Sequence, residues 1–327
     1  MNALVDQRIL VTGVAGQIAF PLASALARNN EVWGLARFSE PASRSRVEGA
    51  GIRAIAVDLA APDWSELPQS FDYVQHLAAV IPPGHDYDAT IRINAEGTGH
   101  LMRRFRDAQA CLVMSTCGVY LPSADPLHPI VEGDPLGGSH QPYSPTYCVS
   151  KIAQEAVARF AASAYGLPTT IARMNAAYGD NGGLPAILLE MILAGQPVPV
   201  FAGRPPLMSP IHDDDILAHL PGLLAAAAVP ATITNWGGDE TVDMREMVQY
   251  LGELAGREAR MIESPDGIQQ ILLDPTRRRS LTGPCSVQWR DGLRRMVQAR
   301  NPEVGIHADG CAWVGIHADD RRRLPSG

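Results

Sequence analysis

The first half of the chain alternates short apolar segments with longer segments whose apolar residues recur at helical spacing. Short apolar runs match β-strands, and periodic ones match helices. Several strands are apolar throughout, which is typical of parallel strands covered by helices on both faces. The predicted strands are residues 8–13, 31–37, 52–59, 72–80, 111–116 and 168–174, and the predicted helices are 17–29, 94–108 and 146–166. The pattern therefore predicts an α/β fold with a doubly wound parallel sheet.

The pattern changes after about residue 175, where elements become shorter and proline and glycine cluster, as in "GQPVPVFAGRPPLMSP". We predict a ligand-binding α/β domain over 1–175 and a smaller, mainly substrate-binding α/β region over 176–297, parts of which return to the sheet. The helices predicted in this region are 184–195, 213–228 and 243–256. We predict a disordered tail over 298–327, in which "VGIHAD" occurs twice. Two copies cannot build a solenoid, and we assign the tail neither a metal site nor a function.

Composition restricts the classes of function. Hydrophobic residues make up 46% and charged residues 19% of the 327 residues, which is ordinary for a globular protein with a sizeable core. The net charge of −8 argues against binding to nucleic acid or to anionic lipid. Five cysteines without a CxxC pair argue against a disulfide framework. With no signal peptide or membrane-spanning stretch apparent, we expect a cytoplasmic protein.

The segment "VTGVAGQIA" (11–19) lies between the first predicted strand and the first predicted helix. Gly13 and Gly16 allow a tight turn and a close approach of the backbone to a pyrophosphate, and Ala19 takes the third small-residue place. Gln17 and Ile18 open the helix, whose free N–H groups would face that anion. The arrangement predicts a dinucleotide site on a Rossmann sheet.

The ends of the next strands refine this site. An acidic residue at the end of the second strand would bind the ribose hydroxyls of NAD, but this chain has Arg37 there. A guanidinium pairs with a 2′-phosphate, so we predict NADP, with NAD as the alternative. Asp58 is placed to accept a hydrogen bond from the adenine amino group. In "HLAA" (76–79), Ala78 is small enough to let the cofactor pass, and His76 is interpreted as a core residue.

The candidate chemistry lies at the end of the fifth strand and in the long helix that follows it. Thr116 ends the strand, and Tyr147 and Lys151 are four residues apart on one helix face. An ammonium beside the phenol would favour phenolate and lower the pKa of Tyr147. Tyr147 would then exchange a proton with a substrate oxygen that Thr116 holds, while hydride passes between substrate carbon and cofactor.

The chain resembles the extended short-chain dehydrogenase/reductases, also called the NAD-dependent epimerase/dehydratase family. The resemblance covers about residues 8 to 297. It rests on "TGVAGQIA", "HLAA", "STCGVY", the YxxxK pair, "RMNAAYG", "SPIHDDDI", "NWGGDETVDMREM" and "DPTRRRSLTG". It implies an oxidoreductase whose catalytic triad is Thr116, Tyr147 and Lys151.

The resemblance also implies binding roles. Lys151 would also bind the nicotinamide ribose, Asp58 and Leu59 would hold adenine, and Asn175 would touch the substrate. Family members are often dimers, which here would pair through helices 94–108 and 146–164. Members that act on nucleotide-sugars often grip the diphosphate with an arginine, and the matching position is Met208 in the substrate pocket. Cys148, where glycine or alanine is usual, is interpreted as a small buried thiol.

Three functions remain open. The first is an NADP-preferring oxidoreductase acting on a secondary alcohol or ketone of a small carbonyl or sugar-like substrate. The second is a nucleotide-sugar epimerase or dehydratase with a recycled cofactor. The third is a non-catalytic dinucleotide-sensing regulator, which ranks last because such proteins commonly lack the Tyr/Lys pair.

Overall fold

The computed structural model describes residues 4–139 and 141–302. The strands are β1 (Arg8–Thr12), β2 (Glu31–Ala36), β3 (Arg53–Ala56), β4 (Tyr73–His76), β5 (Ala110–Thr116), β6 (Thr169–Met174), β7 (Ala177–Gly179), β8 (Gly182–Gly183), β9 (Val198–Phe201), β10 (Leu207–Met208), β11 (Ile211–His212), β12 (Thr232–Trp236), β13 (Val242–Asp243) and β14 (Met261–Ser264). The helices are α1 (Ala19–Leu26), α2 (Pro41–Gly49), α3 (Tyr87–Ile91), α4 (Gly97–Arg104), α5 (Tyr147–Tyr165), α6 (Leu184–Leu193), α7 (Asp213–Ala225), α8 (Met244–Ala255), α9 (Thr276–Thr282) and α10 (Trp289–Arg300).

The main sheet has seven strands in the order β12-β6-β5-β4-β1-β2-β3. All six neighbouring pairs are parallel. This confirms the predicted doubly wound α/β fold. The strand order reverses between β1 and β4, and open sheets of this kind bind ligands in the crevice outside the carboxyl ends of the strands at such a point.

Hydrophobic side chains cover both faces of the main sheet. One face packs against α1 and α7, with Leu22 and Leu220 in that core. The other packs against α4 and α5, with Leu101 and Ala158. A further core joins α6, α8 and α10. The sheet is thus buried on both sides, which explains why its strands lack alternation.

The six predicted strands are present, but β3 and β4 are each at least four residues shorter than predicted. Strand β4 stops at His76 because the next N–H groups are bound by side chains and not by a neighbouring strand. Thr12 Oγ1 accepts from Ala78 N at 3.1 Å, and Asn94 Oδ1 accepts from Val80 N at 2.8 Å. Residues 77–80 consequently leave the sheet and are free to form a wall of a cleft.

The seventh strand of the main sheet and several helices were not predicted from the sequence. Strand β12 lies beyond residue 175 and pairs with β6, so the chain does return to the first sheet. Helix α2 has one buried residue, Val47, and therefore no apolar stripe to detect. A π-helical turn, Arg92–Glu96, joins α3 to α4 where one continuous helix starting at 94 was expected.

The ends of the predicted domains stay predictions. Residues 298–300 belong to helix α10, and 303–327, with both "VGIHAD" copies, lie outside the described residues. Within 4–139 and 141–302, the helices are too short or too polar to span a lipid bilayer.

Candidate active site

The turn after β1 requires glycine at its first position. Gly13 has φ +70°, and a Cβ there would lie 2.8 Å from the Ala78 Cα. Gly16 N donates to Gly13 O at 2.8 Å, which closes the turn. The backbones of β1 and of the segment after β4 therefore approach one another as closely as a Cβ-free residue allows.

A cleft of about 530 Å³ opens over this turn at the carboxyl ends of β1 to β4. It brings together the sequence-predicted cofactor residues other than Lys151, and also Tyr147. These lining residues are Gly13, Gly16, Gln17, Ile18, Arg37, Asp58, Leu59, Ala78 and Tyr147. The buried Gln17 Nε2 has no hydrogen-bond partner among the described residues. The glycine turn fits a dinucleotide pyrophosphate, because Gly13 and Gly16 have no Cβ to prevent a close approach of the backbone.

The adenosine end of the cleft carries opposite charges. Arg37 is exposed at the end of β2 and forms no hydrogen bond or ion pair with the part of the chain that the structure describes. Glu40 lines the same cleft and precedes α2. Asp58 lines the cleft and is exposed, and its Oδ1 accepts from Ala60 N at 2.9 Å. Arg37 is thus free to bind an added anion.

Tyr147 is the first residue of α5 and reaches the other end of the cleft. Burial raises the pKa of its phenol, with Tyr143, Cys148 and Cys117 adding to the rise. The Thr116 hydroxyl acts in the opposite direction. The lowered pKa expected from Lys151 is therefore not produced by the protein groups alone.

Thr116 lies where β5 ends. Its Oγ1 accepts a hydrogen bond from Gly118 N at 3.1 Å, so its own proton remains available for donation. Gly118 packs tightly against Cys148, since a Cβ at position 118 would lie 3.0 Å from Cys148 Sγ. Cys148 is buried, as expected for a small packing residue.

Lys151 is buried one turn after Tyr147, and its Nζ donates to Met114 O at 2.7 Å. Burial lowers the pKa of this amine to about 7, whereas the Glu155 carboxylate raises it. Lys151 does not line the cleft itself but lies under Met114, which does. It is the only lysine in the sequence, since the other 26 of the 27 basic residues are arginine.

His76 is a fully buried core residue. Its Nδ1 contacts Thr12 Oγ1 at 2.8 Å and its Nε2 contacts Thr98 Oγ1 at 2.7 Å. Burial and then Lys151 lower its pKa to about 3, so the ring is neutral. Both nitrogens are occupied, which leaves no role for His76 in proton transfer.

The two predicted substrate residues beyond β6 differ in their environment. Asn175 is 9% exposed, donates to Ile271 O at 2.7 Å and accepts from Ala176 N at 2.7 Å, so its amide joins two loops. Met208 is 0% exposed and packs in the core of α6, α8 and α10. Met208 does not line the cleft over the glycine turn, and its contact with a substrate stays a prediction.

A match to a family model shows which protein family this chain belongs to. The model of the NAD dependent epimerase/dehydratase family matches residues 9–230. The chain belongs to this family. The prediction made from the motifs is confirmed, and the family consists of enzymes of the extended short-chain dehydrogenase type.

Individual members of the epimerase/dehydratase family are distant from this chain. It is 22% identical to a trifunctional UDP-glucose 4,6-dehydratase/UDP-4-keto-6-deoxy-D-glucose 3,5-epimerase/UDP-4-keto-L-rhamnose-reductase of Arabidopsis thaliana, over 91% of this chain and 48% of that protein. This chain spans about half the length of that relative.

Solved structures of the family share the fold. A UDP-glucuronic acid 4-epimerase from Bacillus cereus, in complex with UDP-glucuronic acid and NAD, has a TM-score of 0.77 at 22% identity, over 90% of this chain and 99% of that one. A UDP-N-acetylglucosamine 4-epimerase from Methanobrevibacter ruminantium M1 has a TM-score of 0.78 at 17% identity, over 92% of this chain and 100% of that one.

Asn94 was not predicted from the sequence but contacts Val80, which lines the cleft. It lies in the π-helical turn, and its side chain bonds both Val80 N (2.8 Å) and Val80 O (3.0 Å). Its Nδ2 also donates to Ser150 Oγ at 2.9 Å. Asn94 thus connects the cleft wall to helix α5 beside Lys151. The sequence feature that could have indicated a role for Asn94 is its position between two apolar residues, Ile93 and Ala95.

Proposed function

We propose that this protein is an NAD(P)-dependent oxidoreductase of the epimerase/dehydratase family, which acts on a secondary alcohol or ketone of a small carbonyl or sugar-like substrate. The main support for this function is that Tyr147 lines the same cleft as the glycine turn. A phenol is thereby placed where the nicotinamide end of a dinucleotide would lie if its pyrophosphate bound the turn. Thr116 and Lys151 lie next to it in the fold.

Tyr147 and Thr116 have different roles in the proposed reaction. When bound, the nicotinamide accepts or supplies the hydride. Tyr147 takes the proton from the substrate hydroxyl in oxidation and returns it in reduction. The Thr116 hydroxyl donates a hydrogen bond to the same substrate oxygen. Because burial raises the pKa of Tyr147, the phenol is protonated before substrate binds and can donate that proton to a carbonyl oxygen.

The absence of a cation at position 208 supports a substrate without a diphosphate. The resemblance places an arginine at the position of Met208 in members that act on nucleotide-sugars, and the nearby Arg204 already donates to Ser123 O at 3.3 Å. A diphosphate carries at least two negative charges and is normally paired with arginine or lysine. The opposing candidate, a nucleotide-sugar epimerase or dehydratase with a recycled cofactor, is favoured by the relatives named above, whose names specify UDP-linked sugars.

One assay separates these two functions. The full chain is incubated with NADPH or NADH and a panel of ketones, and with oxidised cofactor and alcohols or nucleotide-sugars. Cofactor fluorescence and product chromatography are followed together. Net loss or gain of NADPH fluorescence supports the oxidoreductase. Conversion of a nucleotide-sugar with constant fluorescence supports the alternative, and no conversion in any arm contradicts both.

We further propose NADP as the preferred cofactor, because Arg37 lines the adenosine end of the cleft and has no pairing partner within 4–139 and 141–302. Arg37→Ala should weaken NADPH binding by about 10- to 100-fold, the equivalent of one charge-assisted hydrogen bond, and leave NADH binding within about twofold. Both dissociation constants are measured by cofactor fluorescence.

The matched control for cofactor choice is Arg44→Ala. Arg44 lies on α2 but does not line the cleft, because it pairs with Glu48 and donates to Ala54 O. This variant should bind both cofactors as the wild type does. An equal loss of NADH and NADPH affinity in Arg37→Ala would contradict a preference for NADP, as would tighter binding of NADH by the wild type.

We also propose a homodimer that pairs through the helices at 94–108 and 146–164. Helix α5 exposes an apolar surface, with Val149 43% and Phe160 68% exposed. Helix α4 packs beside it, since a Cβ on Gly99 would lie 3.0 Å from Val157 Cγ1. Burial of this surface in a second copy would stabilise the pair by about 1.5–3 kcal/mol for each phenylalanine.

Phe160→Glu should therefore convert a dimer into a monomer, as measured by size-exclusion chromatography with light scattering. Ile187→Glu is the control, because Ile187 is 57% exposed on α6 and lies outside the proposed interface. A monomeric wild type, or a dimer that Phe160→Glu leaves intact, would contradict the proposal.

We propose a cytoplasmic location. The described cysteines Cys111, Cys117, Cys148 and Cys285 are free thiols. Burial raises the pKa of Cys111 and Cys117 to about 12, which keeps them as unreactive thiols. Free, unreactive cysteines fit a reducing compartment.

A further inference from the structure

A buried carboxylate lies one helical turn beyond Lys151 on α5. Glu155 is 2% exposed, and both its oxygens are bound by side chains from the main sheet. Glu155 Oε1 accepts from Ser115 Oγ at 2.6 Å and from Arg173 Nε at 2.9 Å, and Oε2 accepts from Arg173 Nη2 at 2.7 Å. Such a bidentate pair fixes the orientation of the carboxylate.

This carboxylate joins the end of β5 to helix α5. Ser115 stands between Met114, whose carbonyl oxygen binds Lys151 Nζ, and Thr116. The strand end is therefore bound to the helix at two points one turn apart, through Lys151 and through Glu155. This double attachment sets the position of Thr116 relative to Tyr147, which begins the same helix.

The charge of Glu155 also acts on the amine. The titratable and charged groups on the surrounding elements are Tyr147 and Glu155 on α5, His76 on β4, Cys117 after β5 and Arg173 on β6. Of these, Glu155 and His76 interact electrostatically with Lys151. His76 is neutral and Cys117 is a thiol, for the reasons given above. Burial drives Lys151 toward its neutral form, and Glu155 is the group that opposes burial.

We propose that Glu155 is a positioning residue that acts through Lys151, keeping the buried amine protonated and holding the strand end with Thr116 against the helix of Tyr147. The proposal rests on the oxidoreductase function proposed above. Glu155 touches neither substrate nor cofactor. Its influence reaches the reaction because a protonated Lys151 favours the phenolate of Tyr147 when the substrate gives up its proton.

Lys151 can be observed directly, because it is the only lysine in the chain. Protein labelled with ε-¹³C-lysine gives a single side-chain resonance, and its shift against pH gives the pKa of Lys151 without any turnover. The same samples are used for the pH profile of kcat. An effect on the amine is thus measured separately from an effect on activity.

Two substitutions at Glu155 separate charge from shape. Glu155→Gln keeps the size and an acceptor for Ser115 but removes the charge. The pKa of Lys151 should fall by about one unit or more, and the alkaline limb of kcat should move to lower pH by the same amount. Glu155→Asp keeps the charge but withdraws the carboxylate by one methylene. Its Lys151 pKa should stay within about half a unit of the wild type.

A purely structural role predicts the reverse order, since the isosteric glutamine disturbs packing less than aspartate does. An unchanged Lys151 resonance curve in Glu155→Gln would overturn the proposal, even if stability drops. Should Glu155→Gln fail to fold because Arg173 loses its partner, the comparison is made in an Arg173→Met background, where adding Glu155→Gln should lower the Lys151 pKa relative to Arg173→Met alone. A wild type without turnover would contradict the proposed function instead, and the resonance would still report on Glu155.

Discussion

Tyr147→Phe should lower kcat by about 100- to 10,000-fold, the usual contribution of a positioned proton donor or acceptor. Phenylalanine keeps the ring that fills the end of the cleft but has no proton to exchange with the substrate oxygen. Cofactor affinity should stay within about twofold of the wild type, since the glycine turn is untouched. Steady-state kinetics with the substrate found in the panel, together with cofactor titration, measure both quantities.

Tyr165→Phe is the matched control for this loss. Tyr165 is the last residue of the same helix, eighteen positions beyond Tyr147, and loses only its hydroxyl in the variant. It should keep kcat within about twofold. Turnover by Tyr147→Phe at the wild-type rate would refute the proton-transfer role, and with it the proposed mechanism.

Gly13→Ala should abolish measurable cofactor binding and destabilise the fold. A methyl group at Gly13 would lie 2.8 Å from the Ala78 Cα and 3.0 Å from the Ala78 N, so two backbones must separate. The left-handed conformation at φ +70° adds about 1–2 kcal/mol, and the overlap adds about 1–3 kcal/mol. Because the two backbones form the cleft wall, cofactor affinity should fall by more than about 100-fold.

Gly51→Ala provides a control with the same strain but no overlap. Gly51 has φ +80°, and a Cβ there would meet no atom within 4 Å. Chemical unfolding should show a loss of about 1–2 kcal/mol for this variant, with unchanged cofactor binding. If Gly13→Ala behaved like Gly51→Ala in both measurements, the close approach at Ala78 would not be needed for the cofactor site.

The single lysine of the sequence is a basic group whose charge can change near neutral pH. At 26 basic positions the chain has arginine, which stays protonated at any pH the protein meets. At 151 it has an amine whose pKa burial lowers to about 7. A group that changes charge near neutral pH can respond to its neighbours, so the Glu155 carboxylate gains an influence that it would not have on an arginine.

The sequence by itself determined the α/β class, the six parallel strands and the order of the chemical groups along them. Strand ends can be read from a sequence because buried parallel strands are apolar throughout, and in such a sheet their carboxyl ends meet at one edge. Gly13, Arg37, Asp58, Ala78 and Tyr147, which the sequence assigned to one site, line a single cleft in the structure. The family followed from the same motifs.

Only the tertiary structure decided what each group touches. Met208 matched a binding position in the linear order, but the packing of α6, α8 and α10 buries it completely. Residues 232–236 rejoin the main sheet, and Glu155 meets Ser115 and Arg173, through contacts between segments far apart in the chain. Burial and pairing depend on such long-range contacts, and these also set the charge of Lys151 and the pKa of Tyr147, which no local spacing encodes.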